Sequence, residues 1–218
     1  MALKVAFFDL DKTLVRVNTG QLYARWRFQR GESGLFDIAR AAYWSLQYTL
    51  GWIDADFVSR SAAQLVKGRF EHDFEKELRD WYVAMVREHV TEAARKEVKK
   101  KRADGFMPVI LTGSSPYVAR PVAEDFDIEH CISSRLAIRD GRFTGEIEAP
   151  LCYGEGKRRL ALEWARARGV DLEASAFYTD SLSDLPMLEE VGEPRVINPD
   201  PRLLALAKKR GWPIEIWR

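Results

Sequence analysis

An apolar stretch, Val5-Ala6-Phe7-Phe8, runs directly into Asp9-Leu10-Asp11-Lys12-Thr13, and this junction restricts the fold more than any other part of the chain. A short apolar run that stops at polar turn residues reads as a buried strand. Alternation along a strand sends Asp9 and Asp11 to the same side at its carboxyl end, where open α/β sheets bind their ligands. One carboxylate can then attack while the other handles a proton. Two carboxylates this close repel, so a cation is expected beside them. Hard oxygen donors suit Mg²⁺, which takes a few protein ligands plus water and a substrate phosphate. The plain alternative is a strand that ends in an ordinary polar turn, because a short motif carries little weight by itself.

Three later segments supply parts that phosphoryl chemistry needs. Met107 to Thr112 is a second buried strand, followed by Gly113-Ser114-Ser115-Pro116. Ser115-Pro116 reads as a helix start, so free N–H groups and the positive end of a helix dipole face a strand end where phosphate could sit. Gly154-Glu155-Gly156-Lys157 opens a helical pattern through Leu160, Leu162, Trp164 and Ala165, stopped at Gly169. A lysine near a helix start opposes the dipole, and neutralising a phosphoryl group and an aspartate would be a reason for it. Finally, Ala176 to Thr179 is a strand ending in Asp180, with Asp184 four residues on at a helix start. Asp180 can ligate a metal, and Asp184 can order its waters and the lysine, or simply cap the helix.

Four such segments in this order resemble the haloacid dehalogenase (HAD) superfamily of phosphatases. The resemblance implies Asp9 as nucleophile and Asp11 as general acid and base. It implies Thr112, with Gly113 and Ser114, as the phosphate-binding turn and Lys157 as the charge-neutralising lysine. Asp180 and Asp184 match the acidic pair; Mg²⁺ would be bound by Asp9, the main-chain carbonyl of Asp11 and Asp180, with Asp184 completing the metal site. An aspartate at position 11 separates phosphatases from dehalogenases in this superfamily. The expected activity is hydrolysis of a small soluble phosphate monoester through an aspartyl-phosphate. A phosphotransferase or mutase using the same chemistry, and a non-enzymatic phosphate-binding protein, are the alternatives.

Between the first two motifs the pattern turns helical, with apolar spacing of three and four over Gln21 to Phe28, Leu35 to Leu50, Asp56 to Val66 and Asp73 to Val90. This looks like the helical cap of the subfamily typified by phosphoserine phosphatase. The expected architecture is therefore an α/β, doubly wound parallel (Rossmann-like) sheet over residues 1–15 and 91–218, with a helical cap over 16–90. Thr91 begins a helix through Arg102, Asp140-Gly141 closes a hairpin, and Pro199-Asp200-Pro201 starts a late helix that Gly211 ends.

Substrate choice should lie in the cap. Phosphoserine phosphatases carry a glutamate seven residues after the second motif aspartate; this chain has Asn18, which weakens the case for phosphoserine. Arg60 is a candidate for a substrate carboxylate, and Arg16 and Arg25 are further cap-side candidates. Histidinol phosphate and phosphocholine-like esters stay open. Trp26, Tyr43, Trp44, Tyr48, Trp52, Trp81 and Tyr82 make the cap aromatic. They suit a cap core, or else a substrate-stacking wall, a homodimer contact or interfacial membrane binding.

The remaining composition narrows the partners. A 218-residue chain with 46% hydrophobic and 31% charged residues can bury a good core. A net charge of +1 gives no attraction to nucleic acid or anionic membrane. Cys131 and Cys152 show no metal or redox spacing, and His72, His89 and His130 are scattered. The apolar start is short and lacks a basic leader, so no signal peptide is read and a cytoplasmic location is expected. The stretch from Ile38 to Trp52 is too short and too interrupted to span a bilayer.

Overall fold

The computed structural model describes residues 3–32, 34, 39, 43 and 55–217. Its centre is a six-stranded sheet in the order β3-β2-β1-β6-β7-β8, formed by β1 (Val5–Phe8), β2 (Met107–Thr112), β3 (His130–Ser133), β6 (Ala176–Thr179), β7 (Glu193–Ile197) and β8 (Ile214–Glu215). Every pairing in it is parallel, with Phe7 opposite Val109 and Phe177. Parallel neighbours require crossovers, and the helices that supply them cover both faces. Phe8, Ile110 and Tyr178 pack on one side of the sheet, while Phe7, Val109, Leu111 and Phe177 pack on the other. The central strand β1 is buried throughout, which is why its sequence is continuously apolar.

The inserted region begins with α1 (Thr19–Gln29), two residues earlier than its periodicity predicts, because the Asn18 side chain caps it by accepting from the Gln21 amide. Next come α2 (Ala55–Gln64) and α3 (Glu71–Trp81). Ala39 and Tyr43 are helical; the rest of the predicted helix over Leu35 to Leu50, with Trp44, Tyr48 and Trp52, lies outside the described residues. The pattern from Asp73 to Val90 suggests one helix. Instead α3 widens into a π-helical segment, Tyr82–Val86, and then tightens into a 3₁₀ turn, Arg87–His89. The wider turn buries Tyr82 and Val86 and leaves Val83 exposed. Thr91 caps α4 (Glu92–Ala103), and its hydroxyl accepts from the Ala94 amide.

α5 (Pro116–Asp125) follows β2 and lies along α3. A row of side-chain contacts joins the two: Tyr117 to Glu71 at 2.8 Å, Arg120 to Glu75 at 3.5 Å, Arg79 to Glu124 at 2.7 Å and Tyr82 to Asp125 at 2.6 Å. The spacing of three or four residues from Glu71 to Tyr82 and from Tyr117 to Glu124 keeps these contacts on facing sides. A two-stranded hairpin, β4 (Leu136–Arg139) and β5 (Arg142–Ile147), turns at Asp140 and Gly141, both with positive φ as a tight hairpin requires. This hairpin reaches the inserted region. Gly68 N–H donates to the Phe143 carbonyl at 2.8 Å, Phe143 N–H to Arg69 at 3.0 Å and Glu71 N–H to Gly141 at 2.9 Å. Phe143 meets Phe74 of α3 and Tyr117 of α5 edge to face. The second half of the chain therefore contributes a hairpin to the cap's packing.

After β5 come α6 (Gly154–Arg166), β6, a 3₁₀ turn (Leu182–Asp184) running into the short α7 (Leu185–Leu188), then β7, α8 (Pro201–Arg210) and β8. Among the described residues no helix is long and apolar enough to cross a membrane.

Candidate active site

The carboxyl ends of β1, β2 and β6 lie side by side, so the loops that follow them meet. The β1 loop is held by the Asp9 N–H, which donates to the Tyr178 carbonyl at 2.9 Å, and it turns through Lys12 at φ 53°. Asp9 is buried. Lys157, from the first turn of α6, also lies buried, with its Nζ 2.9 Å from Asp9 Oδ1 and 2.7 Å from Asp184 Oδ2. Thr179 donates its hydroxyl to the same Asp184 oxygen at 2.6 Å. Two glycines let the lysine come this close. Gly154 has φ 51°, and a Cβ on Gly156 would stand 2.1 Å from the Leu151 carbonyl oxygen.

Asp11 Oδ1 accepts from the Thr19 amide at 3.0 Å. Thr19 is the first residue of α1, so the free N–H of the cap's first helix orients the second carboxylate. The Thr19 hydroxyl lies 3.4 Å from that of Ser114, which joins the same helix end to the β2 turn. Thr112 is buried, and its hydroxyl accepts from the Ser114 amide at 3.2 Å. Ser115 stands at the N-cap of α5 but makes no side-chain capping bond.

Charge is out of balance here. Burial pushes the Asp9 carboxyl up to about 7; Lys157 pulls it down, while Asp184 and Asp11 push it further up. Burial also raises Asp11, against the hydrogen bond from Thr19 and the charges of Lys12 and Lys157. Asp180 is raised well above its ordinary value by burial and by Asp9, with Lys12, 3.7 Å away, working in the opposite direction. Burial disfavours the charge on Lys157, but Asp184 and Asp9 outweigh it and hold the lysine well above its ordinary value. Four aspartates thus face one buried lysine and one half-exposed one. A nucleophilic carboxylate has to be ionised, and a divalent cation would restore that state.

The donor set fits Mg²⁺: it is all oxygen, and the buried Asp184 Oδ1 has no hydrogen-bond partner. Among the described residues no three His, Cys, Asp or Glu side chains close into a ready-made cage. A Mg²⁺ ion that shares its shell with water and phosphate needs none.

The structure therefore brings together Asp9, Asp11, Thr112, Gly113, Ser114, Lys157, Asp180 and Asp184. The cap-side candidates lie elsewhere or do other work. Asn18 uses its Oδ1 to cap α1. Arg60 is exposed on α2 and paired with Asp56 one turn away. Arg25 is exposed on α1. Arg16 is exposed and donates Nε–H to His89 Nδ1 at 3.1 Å, across the two strands of chain that join the inserted region to the core. Sequence reasoning missed Thr19, whose part is played by a main-chain N–H. It also missed Thr179, although a threonine just before Asp180 is visible in the sequence and its hydroxyl anchors Asp184.

Comparison with known proteins gives the family and the fold. The family model for haloacid dehalogenase-like hydrolases matches residues 6–189. A probable phosphatase of Mycobacterium tuberculosis is 31% identical over 225 residues, covering 98% of this chain and 75% of that one. A histidinol-phosphatase of Neisseria meningitidis is 29% identical over 221 residues, covering 96% and 97%. A crystal structure of a protein of unknown function from Bordetella pertussis Tohama I superposes with a TM-score of 0.90 at 28% identity, covering 99% of both chains. A substrate-bound phosphoserine phosphatase superposes with a TM-score of 0.73 at 20% identity, covering 99% and 93%, a likeness of fold. The fold and the aspartate loops define a hydrolase of the α/β class. This chain belongs to the haloacid dehalogenase-like hydrolases.

Proposed function

We propose that the chain is a Mg²⁺-dependent phosphatase that hydrolyses a small soluble phosphate monoester through an aspartyl-phosphate on Asp9. The observation that carries this reading is Lys157, buried between Asp9 and Asp184, with Asp11 oriented separately by the Thr19 amide. Asp9 attacks phosphorus, and the ester oxygen leaves with a proton from Asp11. A carboxyl group raised by burial keeps that proton available, which is what a general acid needs. Asp11, now ionised, takes a proton from water as the water attacks the acyl phosphate; phosphate leaves and Asp9 is restored. Lys157 and the amide of Gly113 suit the charge that grows on the phosphoryl oxygens. Asp9, the Asp11 carbonyl and Asp180 would hold Mg²⁺, with Asp184 ordering its water; the ion supplies charge neutralisation at the phosphoryl group.

The similarity to a histidinol-phosphatase puts histidinol phosphate first among candidate substrates. Phosphoserine ranks lower, because Asn18 offers no carboxylate to an ammonium and spends its oxygen on the helix cap.

The test is phosphate release from histidinol phosphate, phosphoserine, phosphocholine and p-nitrophenyl phosphate, with Mg²⁺ and with chelator. Release that needs Mg²⁺ and disappears in Asp9→Asn is expected. Product analysis with an added acceptor alcohol separates hydrolysis from transfer. No Mg²⁺-dependent release from any ester would sink the reading.

A further inference from the structure

The turn between β7 and α8, Asn198-Pro199-Asp200, belongs to none of the four motifs, yet its groups bond to two of their loops. Asn198 adopts a left-handed backbone, φ 45°, a region asparagine enters more readily than most residues. From there its Nδ2 donates to the Lys12 carbonyl at 2.7 Å, inside the loop that carries Asp9 and Asp11. Its Oδ1 accepts from the Trp217 amide at 2.9 Å, and its own N–H donates to the Glu215 carbonyl at 2.9 Å. Two residues on, the Asp200 N–H donates to the Asp180 carbonyl at 2.8 Å, and Asp200 Oδ2 accepts from the Leu182 amide at 2.8 Å.

Asp200 also caps α8, with Oδ1 accepting from the amides of Arg202 at 2.8 Å and Leu203 at 3.0 Å. A helix cap requires one oxygen only. The second oxygen reaches the acidic loop, and the Asn198 amide reaches the nucleophile loop. The same two loops meet again where Lys12 Nζ approaches Asp180 Oδ2 at 3.7 Å.

We propose that Asn198 and Asp200 are positioning residues for phosphoryl transfer: the turn they form fixes the spacing between the nucleophile loop (9–13) and the acidic loop (180–184). This rests on the phosphatase reading above. The two residues act through Lys12, Asp180 and Leu182 main-chain groups, so that Asp9 and Asp180 present their carboxylates to one cation and one phosphoryl group. Groups that orient metal ligands in this way commonly change metal affinity or turnover by about 10- to 100-fold when altered.

Isosteric variants isolate the role. An asparagine at 200 has one acceptor oxygen, so Asp200→Asn can keep the α8 cap or the Leu182 bond but not both. Asn198→Asp keeps an acceptor for Trp217 and sets an oxygen against the Lys12 carbonyl. Asn198→Gly suits the left-handed backbone and removes both side-chain bonds; it carries the test if either isostere fails to fold. Asp171→Ala, which removes the oxygen that accepts from the Glu173 and Ala174 amides in a turn before β6, is the control for a merely structural loss. Three quantities would be read: steady-state kinetics on p-nitrophenyl phosphate, Mg²⁺ binding by calorimetry, and hydrogen exchange of the 180–184 and 9–13 segments.

The expected result is a fall in kcat of about 10- to 100-fold with KM within about threefold, Mg²⁺ affinity weakened by a similar factor, and faster exchange in both loops. The Asp171→Ala control should move none of the three. Turnover and Mg²⁺ affinity within twofold of the parent protein in both position variants would overturn the proposal. If the parent protein releases no phosphate, it is the phosphatase reading that has failed. The spacing role is then decided by calorimetry and exchange alone, with unchanged values overturning it and altered values sustaining it.

Discussion

At the scale of single residues, the site is defined by how much negative charge one buried ammonium balances. Lys157 touches Asp9 and Asp184, and all three are buried. Lys157→Met would leave two buried carboxylates without their cation, and breaking a buried pair from one side costs about 3–5 kcal/mol. Urea denaturation at neutral pH should show that loss, together with loss of turnover; stability within about 1 kcal/mol of the parent protein would contradict the charge argument. Asp9→Asn behaves differently, because it removes one of the repelling acids and leaves Lys157 bonded to Asp184. It should stay folded by circular dichroism while turnover drops by at least about a thousandfold, because the amide that replaces the Asp9 carboxylate cannot attack phosphorus. Full activity in Asp9→Asn would refute the nucleophile assignment.

At the scale of elements, what was legible in the sequence was whatever depends on neighbours along the chain. The strand-then-aspartate junctions at Asp9 and Asp180, the Thr91 cap, the Asp140-Gly141 turn and the helix started at Pro201 all follow from local patterns. The seam between α3 and α5 did not, because Glu71, Glu75, Arg79 and Tyr82 look like any charged helix face until Tyr117, Arg120, Glu124 and Asp125 are set opposite them. Thr19 was hidden for another reason: a main-chain N–H has no signature in sequence. Gly156 sits between these cases. Its motif was read from the sequence, but the reason for glycine is the Leu151 carbonyl pressed against it. Gly156→Ala forces that backbone apart and should destabilise the protein by about 1–3 kcal/mol, with a disproportionate loss of kcat because the displaced residue is next to Lys157.

The seam also has a pH signature. Burial would raise the Asp125 carboxyl, but hydrogen bonds from Tyr82 and Arg95 outweigh it and hold the group below its ordinary value of 3.8. A carboxyl depressed in the folded state contributes stability that is present above the unfolded value and is lost as pH falls through the folded one. Asp125→Asn should therefore lower stability at neutral pH and flatten the loss below about pH 4, as read from urea midpoints across an acid series. A variant that loses stability with acid as steeply as the parent protein would show that Asp125 does not carry this dependence.

At the scale of the whole molecule, the inserted region and the sheet share one core. Trp26, Phe74, Leu78 and Trp81 belong to the same buried cluster as Phe8, Ile110 and Tyr178. Phe143 is the clearest joint: it comes from the hairpin, 2% exposed, and meets α3 through Phe74 and α5 through Tyr117. Such continuity predicts that cap and core unfold together, because opening either one exposes apolar surface on both. Tryptophan fluorescence, to which the inserted region contributes four of the seven tryptophans (Trp26, Trp44, Trp52 and Trp81), should therefore follow the same denaturation curve as far-ultraviolet circular dichroism, which weights the helices of both parts. Phe143→Ala removes a buried side chain packed on two helices and should cost about 3–5 kcal/mol. If the shared core is what couples the parts, this variant should also split the two curves, with fluorescence moving first as the cap loosens from a sheet that is still folded. Coincident curves in the variant, shifted together to lower urea, would mean that the α3–α5 seam suffices for the coupling. Separate curves already in the parent protein would show the cap to be an independent unit.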